Sequence, residues 1–296
     1  MNAVLQAKAL ELRVGYIGLG AMGWPMASHL AKAGMLVGVC NRSADKSARF
    51  GQEFGVLALS SPADLAPLCT VLLVNVSADQ DVLEVVRAAM PGIKPGCVVV
   101  DHSTVSPQTA QTLKVELAKL GAEFLDAPVS GGVEGAKNAA LSLMVGGDAA
   151  TLAQVLPVLT LMGKRITHMG GVGSGQATKA VNQVIIAGIA QGVCEALALA
   201  EKLELPFDKL LSVLTGGAAN SWFLEKRGAT MLNDEFAHGF KLGLLLKDLN
   251  IAASLGRDLG LTQTVVQQSI SDYTTLVAQG RGDEEISALI RKKRGA

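Results

Sequence analysis

The stretch from Arg13 to Cys40 constrains the fold more tightly than any other part of the chain. Arg13-Val14-Gly15-Tyr16-Ile17 is a short apolar run of strand character, followed at once by Gly18-Leu19-Gly20-Ala21-Met22-Gly23. A helical pattern through Met26, Ala27 and Leu30 stops at Gly34, and Leu36-Val37-Gly38-Val39-Cys40 is a second strand. A Gly-x-Gly-x-x-Gly run between strand and helix is the signature of a β-α-β unit that holds a dinucleotide. Gly18 permits the tight turn, Gly20 lets the backbone approach a pyrophosphate, and Gly23 lets helix and strand pack closely. The helix start then offers free amides and partial positive charge to the phosphates. Leu19, Ala21 and Met22 share that loop. The alternative is a structural α/β turn, but the complete strand-loop-helix context is far more specific than the glycines alone.

The second strand ends in Asn41-Arg42-Ser43. Sites that take NAD place Asp or Glu near this point to accept hydrogen bonds from ribose hydroxyls. Here a guanidinium stands between two neutral donors, which suits a 2′-phosphate and leaves no carboxylate to repel it. The expected cofactor is NADP, with NAD the less favoured choice; the competing view of Arg42 is an ordinary surface arginine.

Strand and helix keep alternating: Val71 to Val76, Val98 to Asp101 and Glu123 to Asp126 are apolar runs of strand length. Strands buried on both faces imply a Rossmann-type, doubly wound parallel sheet in which ligands sit beyond the C-terminal strand ends. The residues there are Val76-Ser77, Ser103-Thr104 and Pro128-Val129-Ser130-Gly131-Gly132. Val76 is therefore a cofactor-side candidate. Ser130-Gly131-Gly132 reads either as a plain turn or as a set of amides suited to a carboxylate. Leu141 to Val145 reads as a strand, Ala149 to Leu161 as a helix, and Arg165 to His168 as a last strand.

A glycine-rich joint, Gly170 to Gly175, opens a long helical stretch that reaches Leu203. Beyond it the periodicity is helical throughout, with breaks at Pro206, Gly216-Gly217 and Gly256. The expected architecture is a dinucleotide-binding domain over residues 1–170 and an all-α domain over residues 171–296, joined by a long interdomain helix. Lys179 lies in that helix's first turns, with Asn182 and Gln183 three and four positions on and hence on one face. The rest of the helix is apolar nearly all round, which predicts burial within a larger body. Lys179 is either a solvated lysine at a helix start or a charge held beside the nucleotide.

Charge and composition narrow the remaining classes. Lys plus Arg and Asp plus Glu are each 26, so net charge is zero and no electrostatic footprint for nucleic acid is expected. The basic run Arg291-Lys292-Lys293-Arg294 reads as a solvated tail. Cys40, Cys69, Cys97 and Cys194 lack zinc or disulfide spacing and read as buried thiols in a reducing compartment. His29, His102, His168 and His238 form no ligand pattern, so metal-independent chemistry is expected. Met1 to Leu12 lacks the apolar core of a signal peptide, and polar residues interrupt the long helix, so neither a leader nor a membrane span is expected and the location is expected to be cytoplasmic.

Four motifs in order then give a resemblance. Gly18 to Gly23 running on to Pro25-Met26-Ala27, Asp126-Ala127-Pro128-Val129-Ser130-Gly131-Gly132, Gly171 to Lys179 with Asn182, and Lys247-Asp248-Leu249 together resemble the β-hydroxyacid dehydrogenase family. That resemblance covers nearly the whole chain after the first dozen residues. It implies Lys179 as the catalytic residue, Ser130, Gly131 and Gly132 as substrate contacts, and Thr104 and Lys247 as cofactor contacts. Asn182 or Gln183 would help to place the substrate, and Phe240 and Asp248 match positions near the site. Many members carry two asparagines where this chain has Asn182-Gln183. The implied reaction interconverts a short 3-hydroxy acid and its semialdehyde with NADP(H). The implied partner is a small carboxylate-bearing substrate, and the apolar excess of the helical half suggests a homodimer or homotetramer.

Overall fold

The computed structural model describes residues 12–237 and 239–295. The expectation that the N-terminal stretch from Met1 is not a leader, and the histidine at 238, fall outside the described residues. The chain divides into two compact units, one ending at Lys179 and the other beginning at Ala180.

The first unit is built on nine strands: β1 (Val14–Ile17), β2 (Leu36–Cys40), β3 (Leu57–Leu59), β4 (Val71–Val74), β5 (Val98–Asp101), β6 (Glu123–Asp126), β7 (Val129–Ser130), β8 (Leu141–Gly146) and β9 (Gly163–Gly170). Between them lie α1 (Gly23–Lys32), α2 (Ala44–Phe54), α3 (Pro62–Leu65), α4 (Asp79–Ala89), α5 (Pro107–Ala118), α6 (Gly132–Lys137) and α7 (Ala149–Leu159). Strand order is β3-β2-β1-β4-β5-β6-β8-β7, with β9 on β8. From β3 to β6 every pair is parallel. Alternate residues feed the two faces: Val71 and Leu73 join the cluster containing Met26, Leu30 and Phe50. Leu72 and Val74 join the one containing Val82, Val86 and Leu113. Helices covering both faces are what make these strands apolar along their whole length.

The doubly wound parallel sheet expected from the sequence is present, and beyond β6 it adds antiparallel pairs. β6 and β7 pair with β8 in one antiparallel register, Asp126 opposite Gly146, Val129 opposite Leu143 and Ser130 opposite Ser142. β6 and β7 lie in line along β8, and the return from Ser130 to Leu141 is shorter than the crossover that a parallel neighbour needs. The first half of the presumed Pro128 to Gly132 loop is therefore strand. The edge strand β3, with Leu57 and Ala58 exposed, has no sequence counterpart above.

The second unit is helical. α8 (Ser174–Lys202) enters it from the first unit, followed by α9 (Phe207–Thr215), α10 (Trp222–Leu232), α11 (Leu242–Asp258), α12 (Thr264–Ala278) and α13 (Leu289–Lys293). Its core gathers Cys194 and Leu197 from α8, Phe223, Leu245, Leu249, Tyr273, Leu276 and Leu289. The expectation of a helix buried all round is corrected: Val181, Ile185 and Leu199 remain 58 to 62% exposed along one side of α8. Its polar interruptions notwithstanding, α8 is long and apolar enough by length and composition to cross a membrane, but its other side is part of this core. The basic C-terminal run is not a free tail. Lys293 bonds Asp272 at 3.0 Å, and Arg294 pairs with Glu201 and Asp234, fastening α13 to the unit. All four cysteines are buried free thiols.

Candidate active site

The register of the parallel strands brings the candidate residues of the first unit to one edge. Cys40, Ile17, Val74, Asp101 and Asp126 stand in register across β2, β1, β4, β5 and β6. Every segment that follows them, carrying Gly18, Asn41, Val76, Thr104 or Ser130, leaves from that same edge.

The glycine loop has the shape that a dinucleotide requires. Gly18 holds φ +99, and a Cβ there would lie 2.1 Å from the Asn75 carbonyl oxygen. A Cβ on Gly23 would lie 1.9 Å from the Gly18 oxygen, whereas one on Gly20 would meet nothing within 4 Å. Glycine is thus obligatory at the two packed positions, and the face at Gly20 is open to a ligand. No side chain caps the start of α1, and no acidic residue occupies its first turn. Its amides and dipole are left for an anion. These residues fit a bound NAD(P).

Asn41 serves the loop itself. Its Oδ1 accepts the Leu19 N–H at 2.8 Å and its Nδ2 donates to the Ser43 carbonyl at 3.2 Å, so it pins the glycine loop to the end of β2. Arg42 and Ser43 are exposed beside it. Val76 donates its N–H to Ser103 Oγ at 2.9 Å, joining the exits of β4 and β5 on either side of the Thr104 turn. His102 is buried, with Nδ1 bonded to the Ala127 carbonyl at 2.8 Å; burial lowers its pKa to about 4. It is a neutral packing residue.

Asp126, buried at the end of β6, receives the start of α8. Its two oxygens accept the N–H groups of Gly173 and Gln176 at 2.7 and 2.8 Å. Burial pushes its pKa up, opposed by those same amide bonds. A Cβ on Gly175 would lie 2.3 Å from the Met144 carbonyl oxygen, so glycine is what lets the helix start press onto β8. Gln176 is 1% exposed; its Nε2 donates to the Ser103 carbonyl at 2.8 Å and its Oε1 accepts the Val105 N–H at 3.1 Å. Lys179, three residues further on, is 7% exposed. Asp126 and Gln176 have no assigned role in the sequence reading. Their signals were a carboxylate ending an apolar strand and an amide within an otherwise small-residue helix start.

Ser130 lies in β7 and is half-buried, while Gly131 and Gly132 are exposed with φ +130 and +60. They turn the chain into α6, which His29 Nε2 braces through the Ala136 carbonyl at 2.9 Å.

The candidates of the second unit are joined in a polar chain. Asn182 Nδ2 donates to Gln183 Oε1 at 2.8 Å, and Gln183 Nε2 donates to Asp248 Oδ2 at 2.7 Å. Lys247 Nζ lies 2.9 Å from Asp248 Oδ1. Gln183 and Asp248 are buried, at 0 and 3% exposure. Phe240 packs against the helical core.

Comparison with known proteins gives the family. Residues 13–171 match the NAD-binding domain of 6-phosphogluconate dehydrogenase, and residues 173–292 match the NAD-binding domain of NADP-dependent 3-hydroxyisobutyrate dehydrogenase. The chain is 36% identical to an uncharacterized oxidoreductase of Shewanella frigidimarina, over 95% of this chain and 97% of that one. It is 34% identical to the 2-hydroxy-3-oxopropionate reductase of Escherichia coli, over 95 and 96% of the two chains. Among solved structures, the 3-hydroxyisobutyrate dehydrogenase of Mycobacterium tuberculosis with L-serine superposes with a TM-score of 0.87, at 31% identity, over 96 and 99% of the chains. With matching models over both halves and relatives aligned along nearly its full length, the chain is an NAD(P)-dependent oxidoreductase that belongs to the β-hydroxyacid dehydrogenase family.

Proposed function

We propose that this protein interconverts a short 3-hydroxy acid and its semialdehyde with NADP(H), Lys179 serving as general acid and base. The observation that carries this reading is the fastening of the α8 start, through Asp126, to the strand edge from which the glycine loop also leaves. A buried lysine in the next turn is thereby held on the nucleotide-binding unit rather than left at a free helix end.

NADPH, when bound, supplies the hydride. Charge that develops on the carbonyl oxygen during reduction is met by the Lys179 ammonium, which donates its proton to that oxygen and regains one from water. In the oxidative direction the neutral amine removes the hydroxyl proton. The backbone amides at Ser130, Gly131 and Gly132 suit the substrate carboxylate, and Asn182 supports the choice of a polar substrate. Arg42, exposed with no carboxylate at the end of β2, supports NADP over NAD.

Tartronate semialdehyde is the first substrate to test, because the 2-hydroxy-3-oxopropionate reductase of Escherichia coli aligns along nearly the whole chain. A second choice, a 3-hydroxy acid such as 3-hydroxyisobutyrate or the analogous alcohol L-serine, is favoured by the likeness to the Mycobacterium tuberculosis structure. NADPH oxidation is followed with tartronate, succinate and methylmalonate semialdehydes and with glyoxylate, and NADP reduction with the hydroxy acids. Turnover of at least one supports the reading. Tight NADPH binding with no turnover of any would instead favour a dinucleotide-binding module. The open apolar side of α8 supports a homodimer or homotetramer.

A further inference from the structure

We infer that Gln176 is a positioning residue that sets the Thr104 turn against the helix carrying Lys179. Its carboxamide holds the two peptide groups that flank Thr104: the carbonyl of Ser103 at 2.8 Å and the N–H of Val105 at 3.1 Å. Its own backbone N–H is held by Asp126 at 2.8 Å. With three hydrogen bonds on one residue that is 1% exposed, neither the side chain nor the main chain of Gln176 has slack.

The clamp reaches further through Ser103. That residue's N–H donates to Asp101 Oδ1 at 2.9 Å, and its hydroxyl oxygen accepts the Val76 N–H at 2.9 Å. Gln176 is therefore the point at which the exits of β4 and β5 meet the start of α8. Lys179 follows it by three residues, about 4.5 Å along the helix axis. A shift of the Thr104 turn relative to Gln176 is a shift relative to Lys179.

An apolar side chain of equal length would fill the same volume and leave the Ser103 carbonyl and the Val105 N–H without partners. Buried groups in that state move until they find new ones. The consequence is displacement of the turn that meets the cofactor, beyond a loss of stability. The inference rests on the cofactor and lysine roles proposed above, but its first readout does not require turnover.

The test uses the full-length protein with Gln176→Met, Gln176→Glu, Thr104→Ala and the Gln176→Met/Thr104→Ala pair. NADPH affinity is measured by fluorescence titration. Turnover and the isotope effect with 4-deuterated NADPH are measured on whichever semialdehyde the wild type reduces. Gln176→Met weakens NADPH binding about 5-fold or more, as expected for one lost hydrogen bond's worth of positioning. The pair loses less than the product of the single effects, because Gln176 acts through the Thr104 turn. Turnover falls by about 10-fold or more and the isotope effect rises, since misalignment slows the hydride step itself. Gln176→Glu keeps the volume and the acceptor for the Val105 N–H but sets a buried carboxylate oxygen against the Ser103 carbonyl. It therefore shows the same changes at no smaller amplitude and relaxes toward the wild type at acid pH, where the protonated carboxyl restores the donor, a readout that holds even if the methionine variant does not fold. Unchanged NADPH affinity and isotope effect alongside a lowered melting temperature, or single effects that simply multiply, would overturn the inference. If the wild type reduces no semialdehyde, the proposed function fails while the affinity cycle still decides the clamp.

Discussion

Gln183 gives its amide hydrogen to the Asp248 carboxylate across 2.7 Å, joining α8 to α11 inside the helical unit. Its carbonyl end is taken at the same time by Asn182, at 2.8 Å. A fully buried carboxamide engaged at both ends has a structural duty, whatever else it touches. The reading of Gln183 as a substrate contact has to accommodate that duty.

The first prediction follows from it. Gln183→Leu removes a buried hydrogen bond to a charged group and should cost about 2 kcal/mol in denaturant unfolding, with Asp248→Leu costing a similar amount. Because each variant strands the other's partner, the double variant should lose clearly less than the sum. Strict additivity would mean that the two side chains are not coupled.

The proposed preference for NADP rests on Arg42. The wild type should have a lower KM for NADPH than for NADH. Arg42→Asp places a carboxylate where the 2′-phosphate would sit and should reverse the preference, with at least about a 10-fold loss in kcat/KM for NADPH. A wild type that prefers NADH would remove the claim.

Acid should destabilise the first unit through His102. Its folded pKa of about 4 lies below the unfolded value of 6.5, so the unfolded chain binds the extra proton in that interval. The contribution of neutral His102 is complete above pH 6.5 and is lost as pH falls toward 4, by roughly 3 kcal/mol. A His102→Asn variant should show a flatter stability profile between pH 6.5 and pH 4 than the wild type. Parallel profiles over that interval would contradict the assignment.

The open side of α8 predicts association. Ile185, 58% exposed beside Val181, would be covered by another copy of the chain. Ile185→Glu should shift the mass measured by light scattering toward the monomer, because it buries an unpaired charge in an apolar contact. A wild type that is monomeric at micromolar concentration would reject the proposal.

How much of this was legible in the sequence depended on the kind of signal. The glycine loop, the five parallel strands β1, β2, β4, β5 and β6 and the helical second half announce themselves because each is a local period with a matching break. β3 does not: it is an exposed edge strand, and Leu57 and Ala58 bury too little to leave a pattern. The antiparallel pairing of β7 with β8 was hidden because strand direction is set by the length of the connection from Ser130 to Leu141, while the apolar pattern is the same for either direction. The long helix shows a limit of composition, since apolar residues on both sides of α8 mark one face for the core and leave the other open. Gln176 was hidden for a different reason. A buried glutamine carries no period of its own, and its partners Ser103 and Val105 are distant in sequence.

The central claim is that Lys179 handles the substrate proton, and the most direct measurement is single-turnover reduction by Lys179→Ala beside a titration of its NADPH affinity. The account predicts a fall in turnover of about 100-fold or more with NADPH binding largely retained. Near-normal turnover in that variant would contradict it.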